Sequence, residues 1–396
     1  MRKTLLLQTA LVAAAGLMLA DAASAQDKAV PIGVTVGGYM TRSFSIQDRG
    51  ARQVDQPAQT FAAPDAEIWF NIRSVLDNGT VVGGRIELEG STESDQIDES
   101  YLFVERRDIG RVELGSTDLV PNKMTYGTPN AIPGDSTTTV GSVGDFFGSD
   151  QYRLRFSAIP DDKEHINLYT SANRYFGSKA GKGLQLGFSY LPNACEDRGT
   201  SAGTTGSCQT FSGAANGSTV NNMQNVYAAA ANYIESFGPV DAALFTGWYQ
   251  GRPGSASNPN GDTLQGYQGG VNLAYNVGDG SQVQLGGMYT QEELDTISAN
   301  KHGWSGGLKY LTSGSKPGSV GIGVEGRKVR VTNVSASAGG NGQGSDETLY
   351  MLGVTYQVAT GILTFAGVGN EKVEYDTAGI SDNKQTFGTV GIRLDF

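Results

Sequence analysis

The feature that most constrains this chain is a two-residue alternation that recurs, in segments of about ten residues, up to its last residue. In Ala66-Glu67-Ile68-Trp69-Phe70-Asn71-Ile72-Arg73, one face carries Ala66, Ile68, Phe70 and Ile72. The other carries Glu67, Trp69, Asn71 and Arg73. Successive side chains of a strand point to opposite faces, so this segment is a strand with one apolar and one polar side. Leu76-Asp77-Asn78-Gly79 then supplies a tight turn, with Asn-Gly as its hairpin signal. The next segment sets Val82, Ile86 and Leu88 against Arg85, Glu87 and Glu89.

A soluble sandwich also alternates, so repetition and parity carry the decision. Strands are expected near 33–44, 66–75, 80–89, 99–107, 110–115, 164–173, 184–191, 225–235, 239–249, 265–277, 281–291, 303–312, 320–331, 347–358, 362–375 and 385–396, sixteen in all. Short turns fall at 76–79, 108–109, 236–238, 278–280 and 359–361, with somewhat longer ones at 174–183 and 313–319. Long loops fall at 45–65, 90–98, 116–163, 192–224, 250–264, 292–302, 332–346 and 376–384. Short turns on one side and long loops on the other is the asymmetry of outer-membrane barrels. The segment 151–157 also alternates, but a spanning strand there would break the parity. It is assigned to the long third loop or to the start of the sixth strand.

The N-terminus gives the compartment. Arg2 and Lys3 precede an apolar stretch from Leu5 to Ala20, and Ala23-Ser24-Ala25 offers a small-residue cleavage site. This is a secretory signal peptide over 1–25, leaving one barrel domain over 26–396. The signal holds two positive charges and one negative, so its removal takes the net charge from −11 to −12. No later stretch approaches the roughly 18 consecutive apolar residues of a spanning helix. The acidity argues against nucleic acid, whose binding needs basic patches. Cys195 and Cys208 are expected to form one disulfide in an exported protein. No second cysteine pair or nearby histidine makes them a metal site.

In lipid, a sheet can span only if it closes, because every backbone group must be bonded within the protein. Sixteen strands leave a lumen too wide for side chains to fill, so it holds water. Glu67, Arg73, Arg85, Glu87, Arg111, Glu113 and Arg393 lie at inward phase. A dry core would make them cost several kcal/mol each without partners, and an aqueous lumen removes that cost. Tyr39, Tyr101, Trp248, Tyr249, Tyr310 and Tyr356 stand near strand ends and are expected in interfacial girdles.

Several stretches resemble the general bacterial porins, particularly those of alphaproteobacteria. They are Val34-Thr35-Val36-Gly37-Gly38-Tyr39, Asp108-Ile109-Gly110-Arg111-Val112-Glu113-Leu114-Gly115, Gly144-Asp145-Phe146-Phe147-Gly148 and Gly183-Leu184-Gln185-Leu186-Gly187-Phe188-Ser189-Tyr190, together with the terminal Phe396. The resemblance implies a sixteen-stranded homotrimeric barrel in the outer membrane of a Gram-negative bacterium. Lipid and lipopolysaccharide would surround it, and the barrel-assembly machinery would read Phe396 as an insertion signal. It also implies a third loop folded into the lumen, with carboxylates facing a cluster of wall arginines. Loop 116–163 offers Asp118, Asp135, Asp145 and Asp150, and the wall offers Arg73, Arg85 and Arg111 beside Glu67, Glu87 and Glu113. The family's first-strand arginine would fall near Thr41, whereas here it is Arg42, one step out of phase.

Catalytic chemistry is hard to place. Gly321-Ile322-Gly323-Val324-Glu325-Gly326 matches G-x-G-x-x-G but opens no helix, so it fails the dinucleotide context. Glycine there leaves room in the barrel wall. The only histidines are His165 and His302, and no H-E-x-x-H or G-x-S-x-G occurs. An outer-membrane enzyme would need a histidine paired with an acid or a serine, for which His302 and Asp295 are the nearest material. A substrate-selective channel and a surface adhesin are further alternatives. The expected function is passive diffusion of small hydrophilic solutes and ions, with no cofactor, no metal and no catalytic residue. N-terminal sequencing of the protein from outer membranes should begin at Gln26, and a retained leader would overturn the assigned cleavage.

Overall fold

Alternation becomes sixteen antiparallel strands in this computed structural model, which describes residues 29–49, 60–90, 97–106, 109–132, 154, 156, 163–170, 182–193, 223–253, 263–294, 299–313, 316–332, 344–375 and 382–396. The strands are β1 (Val30–Arg49), β2 (Thr60–Val75), β3 (Val81–Glu89), β4 (Ile97–Arg106), β5 (Gly110–Thr117), β6 (Lys163–Tyr169), β7 (Gly183–Asn193) and β8 (Met223–Phe237). They continue as β9 (Val240–Pro253), β10 (Leu264–Gly278), β11 (Ser281–Leu294), β12 (Ala299–Leu311), β13 (Val320–Thr332), β14 (Ser345–Ala359), β15 (Ile362–Tyr375) and β16 (Asn383–Asp395). One helical turn, α1 (Val120–Lys123), follows β5. Each strand pairs with its neighbour in sequence, and β1 pairs with β16 to close the barrel. The closing ladder runs from Tyr39↔Asp395 to Arg49↔Gln385. Phe396 adds a reciprocal pair of backbone bonds to Gly38, at 2.9 and 3.0 Å. Closure so pairs β1 from Gly38 onward, as a sheet in hydrocarbon requires, while its first residues, Val30 to Gly37, reach beyond the end of β16 and pair with β2 alone.

The strand count and order match expectation, but many strands run further toward the long loops. β1 reaches Arg49 rather than 44, and β9 reaches Pro253 rather than 249. The ladder continues after the outward side chains stop being apolar, so the hydrophobic signal ends before the hydrogen bonds do. β6 is shorter than expected, ending at Tyr169. Leu154 and Phe156, the described residues of 151–157, lie outside any strand, and β5 pairs directly with β6. The tight turns adopt positive φ where glycine or a short polar residue stands, as at Gly79 (77°), Gly238 (63°) and Asp279 (49°). The glycine motif at 321–326 lies wholly within β13.

Burial separates the two faces. Leu102, Leu114, Val368 and Val390 point outward and are 56–65% exposed. Residues at the opposite phase of their strands, such as Glu113, Asn167, Gln185, Glu347 and Thr389, are buried on the inner face. The aromatic expectation divides by this same parity. Trp248, Tyr310 and Tyr356 share the outward face with Leu244, Leu308 and Val354. Tyr39, Tyr101 and Tyr249 do not belong to a girdle. They occupy inward positions, where the Tyr39 hydroxyl donates to Glu67 (2.8 Å) and that of Tyr249 to Glu292 (3.0 Å). Nearness to a strand end could not separate the two groups, whereas position in the alternation does.

The two faces should respond differently to charge. Leu352→Lys, on the outward face, should lower unfolding stability in lipid vesicles by up to about 2–4 kcal/mol, while the inward Gln284→Glu should cost far less. Equal losses would contradict the assigned orientation.

Candidate functional site

The strand register brings alternating charges together on the inner wall. On β1 to β3, Tyr39 donates to Asp65 (3.1 Å) and Glu67, and the Trp69 Nε1 donates to the other Glu67 oxygen (3.0 Å). Arg85 pairs with Glu87 at 2.6 Å and stacks 4.5 Å from the Trp69 ring centroid. Arg393, from β16, pairs with Asp395 (2.8 Å) and lies 4.0 Å over Tyr39. Arg393 also stands directly opposite Thr41 in the closing ladder. Arg42 itself is outside this cluster: its guanidinium turns back to the Thr41 carbonyl (2.8 Å) on the outward side. An inward arginine beside Thr41 is therefore supplied by the last strand instead of the first.

Glu113 is the hub of the neighbouring wall and is 1% exposed. It accepts from Arg111 Nε (2.8 Å), Lys123 Nζ (3.1 Å), Asn167 Nδ2 (3.1 Å) and the Tyr169 hydroxyl (3.1 Å). Arg111 also pairs with Glu105 (3.1 Å) and stacks 3.9 Å from Phe103, while Lys123 sits 4.3 Å from Tyr101. Four cations thus lie over four inward aromatic rings, which hold their heads flat against the wall. Arg73 is inward too, but it lies opposite Gly83 at the short-turn end of β2, two residues beyond Asn71, the partner of Arg85.

The far wall carries charges that the sequence reading did not single out. Arg327 pairs with Glu347 and lies 4.0 Å from Glu371, which also accepts from Gln385. Lys301 pairs with Glu292 at 3.1 Å. Their odd or even phase within β11 to β16 was the available signal. Among the described residues, Glu67, Glu87 and Asp98 bring carboxylate oxygens within 4.8 Å of one another. Glu67 and Glu87 are already engaged by Tyr39, Trp69 and Arg85, so the group forms part of the ion-pair network.

Between these walls runs the segment after β5. Its backbone and side chains bond inward-facing residues one strand after another. Val120 N donates to Ser189 Oγ (2.9 Å), and Asn232 Nδ2 donates to the Met124 carbonyl (3.4 Å). Asn272 Nδ2 donates to Gly127 O (2.9 Å), and the Thr128 and Ser305 hydroxyls share a bond of 2.5 Å. Lys309 Nζ donates to Asn130 O, and Ala131 N donates to Glu325 Oε2, both at 2.9 Å. Asp118 sits at the start, its carboxylate accepting from Asn122 (3.3 Å) and its carbonyl from Asn167 (2.9 Å). Asp135, Asp145 and Asp150 lie outside the described residues, as do Cys195 and Cys208, Asp295 and the leader 1–25. His302 faces outward, its Nδ1 3.3 Å from the Tyr289 hydroxyl.

Comparison with known proteins agrees with this architecture. The family model described as Gram-negative porin matches residues 9–376. The in-vitro folded outer membrane protein OmpT of Vibrio cholerae shares 11% identity at a TM-score of 0.56, over 94% of this chain and all of that one. The anion-selective porin of Comamonas acidovorans shares 15% identity at 0.53, over 92% of this chain and all of that one. The outer membrane channel DcaP of Acinetobacter baumannii shares 12% at 0.56, over 92% of this chain and 97% of that one. At these identities the likeness is one of fold. A comparison with curated proteins found no match. With nearly its whole length matched and a closed barrel charged on its inner wall, the chain is an outer-membrane protein and belongs to the Gram-negative porin family.

Proposed function

We propose that the barrel is an open, water-filled pore through which small hydrophilic solutes and ions diffuse passively down their gradients. The observation that carries this reading is the inner wall itself. Ion pairs such as Arg111–Glu113–Lys123 and Arg85–Glu87 line the inside of a closed sheet whose outside is apolar. A barrel of this strand number encloses more space than its side chains fill, and the charged groups of the wall around that space are held by partners of opposite charge. Opposed charges across the narrowed lumen set up a transverse field that sorts solutes by charge and dipole. In this reading Asp135 and Asp145 of the third loop face Arg85 and Arg111 across the passage, while Asp118 stands on the same wall as Arg111, beside Asn167.

The functional unit is a homotrimer embedded in lipid and lipopolysaccharide. A trimeric form is named for the Vibrio cholerae neighbour. The chain is delivered by a cleaved leader, carries a Cys195–Cys208 disulfide and inserts through assembly machinery that reads the exposed Phe396. The enzyme alternative draws no support from His302, which faces outward and whose Nδ1 meets the Tyr289 hydroxyl among the described residues. Net negative charge of the mature chain favours cations weakly at low salt.

Three measurements test this. Unboiled protein in a planar bilayer should give large conductance steps that arrive or close in threes; folded protein without conductance would sink the pore reading. In a salt gradient the reversal potential should indicate weak cation preference, and anion selectivity would overturn that assignment. Deleting 125–145 should raise single-channel conductance, whereas an unchanged value would mean that the segment does not narrow the passage.

A further inference from the structure

We infer that a row of inward glycines forms a seat that fixes residues 126–132 as a taut, static strap, so that these glycines are positioning residues for the passage. The inference rests on the pore reading above and goes beyond it. It says which wall positions set the path of the narrowing segment, and that this segment does not gate.

Contact by contact, consecutive strands meet consecutive stretches of strap. A Cβ on Gly270 of β10 would lie 2.0 Å from the Tyr126 carbonyl oxygen, and one on Gly286 of β11 would lie 2.3 Å from that of Gly127. On Gly307 of β12 it would meet Thr128 Cγ2 at 2.8 Å, and on Gly323 of β13 the Ala131 Cα at 2.9 Å. On Gly353 of β14 it would meet both the Ala131 oxygen and Ile132 Cγ2 at 2.5 Å. Several of these distances end on backbone, which cannot rotate away as a side chain tip can. Register aligns the seat: Gly286 pairs with Gly307, and Gly323 pairs with Gly353, which pairs with Gly367. The missing side chains therefore form a groove that crosses the strands.

The strap fills that groove with almost no slack. From Gly127 on β11 to Ile132 over Gly367 on β15, five residues cross four strand spacings. Five extended residues reach at most about 18 Å. Four spacings measure about 19 Å along the wall, and somewhat less on the inside of its curve. Both ends are held. Val120 and Met124 pack with Tyr169, Ala230 and Phe245, and Ile132 is buried among Leu349, Met351, Phe365 and Phe387. A chain near full extension and pinned at both ends cannot swing into the lumen without breaking the wall bonds to Asn272, Ser305, Lys309 and Glu325.

The test uses the full-length protein in planar bilayers. In a Cys195→Ser, Cys208→Ser background, Thr128→Cys with Ser305→Cys should form a disulfide, since the two hydroxyl oxygens are 2.5 Å apart. Oxidised and reduced protein should show the same conductance and the same voltage-induced closure; closure lost on oxidation and restored by reduction would overturn the static strap. Gly353→Leu should fold, by heat-modifiable gel mobility, yet give a shifted and broadened conductance, while the outward control Gly388→Leu should leave it unchanged. A folded Gly353→Leu protein with unaltered conductance would refute the seat. Should Gly353→Leu fail to fold, Gly307→Ala supplies the same reading with a smaller intrusion. Channels absent even from the unsubstituted protein would instead refute the pore reading.

Discussion

The structure depends first on the demand of hydrocarbon that no backbone donor or acceptor go unbonded. That demand turns a local alternation into a global object. A strand such as β14 satisfies one row of its backbone groups with β13 and the other with β15. The first and last strands have a free row each unless they meet, and they do so along eleven residue pairs with Phe396 adding a further one at Gly38. Closure then defines an inside and an outside, and every side chain inherits its environment from its parity on its strand. Leu114 faces lipid and Glu113 faces the lumen for no other reason than being one residue apart.

Once the inside exists, its electrostatics follow from register. Antiparallel pairing sets Trp69 beside Glu87, Arg85 beside Tyr101, and Phe103 beside Glu113. Cations consequently find both a carboxylate and an aromatic face within reach, and each of the four stacked cations has both. A charge with partners on two sides is held in one orientation, so the potential along this wall is fixed in space rather than averaged over mobile side chains. A passage that sorts solutes by charge needs that rigidity.

Much of this was legible in the sequence because it is local. Ala66 to Arg73 states its two faces in eight residues, and Asn78-Gly79 states its own turn. The inward phase of Glu67, Arg85, Glu87, Arg111, Glu113 and Arg393 follows from counting along single strands. What was not legible depends on partners distant in sequence. Arg393 standing across from Thr41 joins the two ends of the chain, and only closure reveals it. Lys123 reaches Glu113 only because Pro121, in the first turn of α1, sits at the start of a short helix that redirects the chain after β5. The tyrosines at 39, 101 and 249 misled because strand-end position was weighed before phase. Strands such as β1 and β9 run longer than expected because hydrophobic signal and hydrogen-bond ladder end at different heights.

The glycines make the same distinction within one residue type. Those in turns declare themselves, since Asn-Gly or Asp-Gly between two alternating runs asks for positive φ. Gly323 and Gly353 do not: each sits mid-strand, where glycine weakens a sheet unless something must come close. The something is Ala131, nearly two hundred residues earlier for Gly323 and further still for Gly353. The G-x-G-x-x-G spacing at 321–326 is thus two different requirements laid side by side. Gly323 faces inward, where backbone from another part of the chain lies against it, and Gly326 faces outward beside the Tyr350 ring. A spacing that looks like one motif in the sequence belongs, in the barrel, to opposite faces of the same strand.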